Sequence, residues 1–508
     1  MTEKGYISDL YIQLQEVMNK CDNLSLQVKN IKKETENKYK LEVKKLKKEH
    51  CEEINILNDK IKKLEIENKK LKNENDRLRK QLNNNSNNSS KPPSSDIKPK
   101  KKDIQNNREK SGKTVGGQIG HKGTHLSKKY VEENIKNNNF NHIIQHIVNI
   151  TDKYISKYVL DISVEVNATE YRFYANENGK IIIPKEFQSD VQYGSELKTL
   201  CAILNVNNVV AIDRLTDFIN HITHGKINMS NGTIVNHIKK LSFNLEEILN
   251  KVKNKILNSR KMYTDATTSR CNNRNISVRN YSTDEHTLLC ATNTKSKSDL
   301  EKTGILSQYL GTLVHDHEPV IYYYGSKHVE CNVHVTRYLK GNHENTSHSW
   351  DIEMIEFIND LNNKKKELIL NNINSFTQDE LNYYLNKYDE IISKAKEENK
   401  KEKSAYYKAE EKKLINRLEK YKENHLMFIL MPFDNNMSER ELRHVKLKQK
   451  VSGFFNSLES IQNYLNIKSF ILCCQKQGKD FYKLIKKYLI MKQLQYSNCF
   501  ITCLLLFS

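Results

Sequence analysis

The chain has 508 residues, with 83 Lys and Arg against 62 Asp and Glu, so its formal charge is +21 and its pI is about 9.2. That excess points to a polyanionic partner. Only 37% of residues are hydrophobic and mean hydropathy is −0.75, yet the length allows about two to four domains and excludes a wholly disordered chain. No run of apolar residues is long enough to span a bilayer, and MTEKGYISDL has no apolar signal-peptide core, so no membrane partner is expected. The 10 cysteines lack disulfide-like spacing, which fits a reducing cytoplasm.

Residues 1–82 are expected to be helical. Leu57, Leu64, Leu71 and Leu78 recur every seven residues at d positions, with Ile54, Ile61, Asn68, Asn75 and Leu82 at a. The flanking pairs Lys60/Glu65, Glu67/Lys72 and Glu74/Arg79 are all of opposite sign, as a parallel, in-register pairing requires. Leu57, Leu64, Asn68, Leu71, Asn75 and Leu78 are therefore the expected seam of a homodimer or higher oligomer. A solvated single helix is the alternative.

Residues 83–130 read as a basic flexible linker. NNNSNNSSKPPSSD stops the helix, and residues 91–130 hold 11 Lys and Arg against 3 acids. The glycine-punctuated GGQIGHKG (Gly116 to Gly123) lies within it. Lys100, Lys101, Lys102, Arg108, Lys113, His121 and Lys122 are candidates to track a DNA backbone, since counterion release needs no rigid fold. Residues 131–192 suggest a small β-containing segment, with alternating apolar positions and an Asn178-Gly179 turn. Residues 193–259 read as helices, in which Ile234, Ile238, Leu241, Leu245, Ile248 and Val252 mark one apolar face after Gly225. A packed helical hairpin is favoured there over a helix-turn-helix reader.

From residue 260 the period changes. KMYTDATTSR, RNISVRNYST and HTLLCATNT predict a three-stranded meander with Asp265 in its first strand; a helical stretch follows, then GTLVHD ending in Asp316. Two carboxylates on neighbouring strands suit a hard divalent cation. The third acid, Glu439, lies in MPFDNNMSERELRHVKL, where Asp434 or Asn436 should cap a helix. Asn436-x-x-Glu439 also satisfies a capping box, as does Ser438-x-x-Glu441, so spacing alone leaves Glu439 open between cap and ligand. Paired divalent ions can clamp a scissile phosphate between attacking and leaving oxygens. His328-x-x-Cys331-x-x-His334, followed by Arg337, reads as packing or DNA-contacting residues rather than a zinc site. Residues 345–428 read as a charged helical insertion.

Four motifs occur in the order found in transposases of the insertion sequence 66 family: SNNSSKPPSSD after a leucine-rich coiled coil, GGQIGHKG, VHDHEP with HVECNVHVTRYL, and DNNMSERELR. The chain resembles that family from about residue 50 to 480. The resemblance implies an α+β and α/β multidomain protein: an N-terminal coiled coil, a small mixed segment, a helical DNA-binding region, and an RNase H-like DDE catalytic domain at 260–480 with a helical insertion. Asp265, Asp316 and Glu439 would be the catalytic, metal-binding triad for two Mg²⁺ ions, with Mn²⁺ able to substitute. By the same resemblance Asn435, Asn436, Arg440, His334 and Arg337 would support the acids or contact phosphate. The implied reaction is nicking at transposon ends and transfer of the 3′-hydroxyl to target DNA. Accessory proteins of the same element are further expected partners, and the bacterial cytoplasm near the nucleoid is the expected place. The rival expectations are a decayed or non-enzymatic dimeric DNA-binding protein and a structure-selective nuclease. One departure stands out: the family's cysteine pairs are absent from residues 131–184, so zinc is not expected there. The tail at 481–508 also lacks a counterpart.

Overall fold

The computed structural model describes residues 3–85, 88–89, 127–144, 155–183, 187, 189–373 and 375–491. The basic arm with Lys100, Lys101, Lys102, Arg108, Lys113, His121 and Lys122, the GGQIGHKG motif and the tail after residue 491 lie outside the described residues.

In chain order the helices are α1 (Glu3–Asn83), α2 (Lys128–Lys136), α3 (Ser195–Val206), α4 (Ile212–Ile222), α5 (Asn231–Asn244) and α6 (Glu246–Leu257). The strands β1 (Lys261–Cys271), β2 (Arg274–Ser282) and β3 (Thr287–Thr292) follow, then α7 (Lys297–Lys302), β4 (Thr312–His315) and β5 (Lys327–Glu330). The rest is helical: α8 (Asn332–Thr346), α9 (Trp350–Leu370), α10 (Gln378–Lys401), α11 (Ala405–Lys420), α12 (Lys422–Leu426), α13 (Asn436–Ser452), α14 (Leu458–Lys476) and α15 (Phe481–Met491).

The chain forms two compact units. The smaller comprises Met1–Asn84, Glu344–Ser347 and Lys396–Lys413. In it, Ser404 donates to the Asp76 carboxylate at 2.5 Å, the Tyr407 hydroxyl donates to the Asp76 carbonyl at 3.3 Å, and Lys80 pairs with Glu410 at 2.7 Å. Asn73, Asp76 and Lys80 are accordingly half-buried. These are b and f positions of the heptad, so α1 uses its outer face here. Its leucine seam stays exposed: Leu64 and Leu71 are both 64% accessible.

The larger unit is built on a five-stranded sheet of order β3-β2-β1-β4-β5. The meander β1–β2–β3 is antiparallel, while β4 and β5 add in parallel beside β1. Asn272 and Asn273 form the β1–β2 turn with φ of 44° and 61°, the left-handed pair that matches hairpin twist. Both faces of the sheet feed one apolar core, Met262 and Leu313 from one and Val278 and Leu289 from the other, together with Ile234, Val252, Ile256, Leu465 and Ile471 of the surrounding helices. The six apolar positions from Ile234 to Val252 are all buried, although the single helix expected there divides at Leu245 into α5 and α6. The insertion has its own core around Trp350, Phe357, Tyr388, Leu418 and Phe428.

Among the described residues, the β-containing segment expected at 131–192 forms no sheet. Its described residues hold α2 and one isolated bridge, Ala175 to Ile181, across the turn with Gly179 at φ 72°. Val164, Tyr171, Tyr174 and Ile182 are exposed, and among the described residues no second layer covers the alternating side chains.

Candidate active site

Tyr263 of β1 lies opposite Val314 of β4 in parallel register. Two residues further come Asp265, on β1, and Asp316, just past the end of β4. A strand returns to the same face every second residue, so both acids share the face of Tyr263 and Val314. Those two side chains pack with Val329 of β5 against Met437. Met437 lies two residues before Glu439, in the first turn of α13. These contacts carry the three acids, distant in sequence, toward the same end of the sheet.

The electrostatics agree. Burial, then the like charge of Asp316 and more weakly of Glu439, pushes the Asp265 carboxyl up to about 7, against the Ala266 N–H and the Arg279 guanidinium. The Ala266 N–H donates to Asp265 at 2.6 Å, and the Asp265 N–H donates to the Asn280 side-chain oxygen at 2.8 Å. His334, in the first turn of α8, brings Nε2 to 3.7 Å from Glu439 Oε1. Burial lowers the pKa of its imidazole, although Asp316 and Glu439 pull the other way. Arg337 stands 3.5 Å from His334 Nε2.

The cap expected from Asp434 or Asn436 is not the one found. Asn435 is the N-cap and makes no side-chain capping bond; its Nδ2 donates instead to the Thr264 carbonyl at 2.9 Å, locking α13 onto β1. Asp434 accepts from the Asn436 N–H at 3.0 Å. Glu439 therefore caps nothing. Its Oε1 is buried without a hydrogen-bond partner, as are Asn435 Oδ1, Ser438 Oγ and His334 Nδ1. Arg440 points out to solvent.

Among the described residues, no three His, Cys, Asp or Glu side chains stand close enough to count as a metal cluster. The donor set nonetheless fits a hard cation. It consists of carboxylate oxygens that repel one another, one of them buried and unpaired, with no thiolate facing them. His328, Cys331 and His334 are not gathered as a group. His328 is on β5 and meets His315 at 3.1 Å, Cys331 accepts from the Asn435 N–H at 3.3 Å, and His334 faces Glu439.

Two buried carboxylates near the site escape a reading by spacing. Glu330 of β5 is fully buried and binds Arg417 at 2.6 Å, His317 at 3.0 Å and the Tyr322 hydroxyl. These partners hold its pKa well below the usual carboxylate range despite burial. His315 and His317, on either side of Asp316, are both tied to β5 in this way. Glu441 accepts from Asn280 at 3.1 Å, from Thr287 at 2.9 Å and from Ser282, and pairs with Lys476 at 2.7 Å. The signal for both was a charged residue inside an apolar pattern. For Glu441 it was hidden by the capping-box spacing.

No curated protein matches the chain. A family of unknown function (DUF6444) matches residues 41–127. Among the described residues, no helix is long and apolar enough to cross a membrane. The family model described as Transposase IS66 family matches residues 190–463, which is more than half of the chain and includes all three acids, and the chain belongs to that family of transposases.

Proposed function

We propose that the chain is a DDE transposase whose Asp265, Asp316 and Glu439 hold two Mg²⁺ ions in an RNase H-like domain, and that it nicks DNA at transposon ends and transfers the 3′-hydroxyl to a target. The observation that carries this reading is the mutual charge of three acids that come from β1, the end of β4 and the first turn of α13. The strand order β3-β2-β1-β4-β5, with an antiparallel meander followed by two parallel strands, supports the fold assignment. When bound, the ions would polarise the scissile phosphate and lower the pKa of the attacking water or hydroxyl.

The protein's own residues have definable parts. Asp265 and Asp316 present oxygens from a rigid sheet, and Glu439 approaches from a helix fixed by Asn435 on the Thr264 carbonyl. His334 lies within reach of Glu439 and restrains its rotamer. Arg440 and Arg337 are cations beside the acids, suited to a phosphate oxygen. Lys100, Lys101, Lys102, Arg108, Lys113, His121 and Lys122 serve as a flexible DNA-holding arm in this reading. Dimerisation runs through the exposed seam of Leu57, Leu64, Asn68, Leu71, Asn75 and Leu78, on the side of α1 opposite its contacts with Ser404, Tyr407 and Glu410.

The test is Asp265→Asn. It should abolish Mg²⁺-dependent nicking of end-containing DNA while leaving DNA binding intact. Nicking at the wild-type rate by this variant overturns the reading. A strand-transfer assay then separates a transposase from a nuclease that cleaves without joining.

A further inference from the structure

Helix α13 and strand β1 leave the acids side by side and are tied at three levels. Glu439 acts on Asp265 at the near end, Lys446 donates to the Thr268 carbonyl midway, and at the far end Phe455 exchanges backbone bonds of 3.0 and 2.9 Å with Arg270 and Asn272. Along this ridge Arg440, Arg443, Lys446 and Lys450 of α13 are exposed, as are Arg270 and Arg274 beside the β1–β2 turn. No acid occurs between Ala266 and Thr283, or between Leu442 and Ser457. Among the described residues, the one carboxylate these six cations approach is Glu439, 3.8 Å from Arg443. Gly453, at φ 77°, turns the chain so that Phe455 is buried against Tyr464 while Phe454, four residues past Lys450, remains 52% exposed.

We propose that this ridge is the track for one DNA strand running away from the scissile phosphate, with Phe454 as a stacking platform for an unpaired base at its far end. The proposal rests on the function given above and extends it to how the flanking strand is held. A row of cations with an exposed aromatic ring at its end is what a nucleic-acid strand binds: the charges neutralise phosphates and the ring takes a base face. The length fits. From Asp265 to Arg270 a strand covers about 17 Å, and from Glu439 to Lys450 a helix covers about the same. At roughly 3.4 Å per nucleotide along one strand, that is a footprint of about five nucleotides.

The experiment measures binding of the full chain to labelled duplex, with and without a frayed end, across a salt series in EDTA. A triple variant Arg443→Gln, Lys446→Gln, Lys450→Gln should lower the slope of log affinity against log salt by about 2 to 3. A matched triple on α1, Lys29→Gln, Lys32→Gln, Lys33→Gln, should leave the slope unchanged. Phe454→Ala should remove the preference for the frayed duplex while keeping the slope. If the triple variant does not fold, Arg443→Gln and Lys450→Gln alone should each lower the slope by about 1. An unchanged slope in the α13 variants, an equal drop in both triples, or an intact frayed-end preference in Phe454→Ala overturns the proposal. Because binding is read without metal, absence of Mg²⁺-dependent nicking by the wild type sinks the enzymatic reading separately and leaves the track to be decided by the slopes.

Discussion

Glu439 and Glu441, two residues apart on α13, point to opposite fates. Glu441 buries its carboxylate on Ser282, Thr287, Asn280 and Lys476, whereas Glu439 leaves Oε1 buried with no hydrogen-bond partner. Positions i and i+2 on a helix lie about 200° apart, so one acid holds α13 to the sheet while the charge of the other acts on Asp265.

The pair gives opposed mutational outcomes. Glu441→Ala strands Lys476 and three donors in the interior, and should cost about 3–5 kcal/mol in urea denaturation. Glu439→Gln removes no hydrogen bond and relieves repulsion on Asp265, so its stability should match or slightly exceed wild type while nicking is lost. A Glu439→Gln protein as unstable as Glu441→Ala would show that Glu439 is structural.

Filling the acidic site should stabilise the fold. The repulsion that Asp316 and Glu439 exert on the buried Asp265, only partly offset by Arg279, is a cost that a divalent cation removes, and a ligand at a hundred times its Kd adds about 3 kcal/mol. Mg²⁺ or Mn²⁺ should therefore raise the melting temperature of the wild type and have little effect on Asp316→Asn. Equal shifts in the two proteins would place the ion elsewhere.

The meander was legible in the sequence because three extended runs of six or more residues, holding β-branched and aromatic side chains, are separated by polar turns. Strand β5 was not, because Lys327 to Glu330 is only 4 residues long and runs straight into α8. Its invisibility made His328, Cys331 and His334 look like one helical spacing when they straddle a strand and a helix. The acids were legible as types, but their meeting depends on the parallel register of Tyr263 with Val314, which no local pattern encodes. The alternation at residues 164–183 was real but insufficient, since a ladder also needs a layer to bury its apolar side.

Lys468 should report the cost of a buried cation. It is fully buried on α14, bonded to Asn207 at 2.9 Å, and burial lowers its pKa to about 8, with Glu441 pulling the other way. The unfolded chain keeps this proton up to about pH 10.5 whereas the folded chain releases it near 8, so the penalty is fully present below pH 8 and fades as pH rises toward 10.5. Between pH 7 and 9 the wild type should therefore gain about 1 kcal/mol relative to Lys468→Met. Taking the difference between the two proteins cancels the titrating groups that lie away from Lys468. Parallel pH profiles would mean that water reaches the ammonium.

The seam on α1 yields a test that separates pairing from helix formation. Leu64 and Leu71 are exposed in the single chain, and the half-buried positions Asn73, Asp76 and Lys80 lie on the other side of the helix. Leu64→Lys with Leu71→Lys would put two charges into the a/d interface, with little change in helix propensity. Sedimentation should show a dimer for the wild type and a monomer for the double variant, at the same far-ultraviolet helical signal. Asp76→Ala removes the side-chain contact with Ser404, leaves the Tyr407 hydroxyl on the backbone carbonyl, and should leave the dimer intact. If Asp76→Ala breaks the dimer and the double leucine variant does not, α1 pairs through its outer face, and the opposite-sign pairs Lys60/Glu65, Glu67/Lys72 and Glu74/Arg79 serve solvation instead.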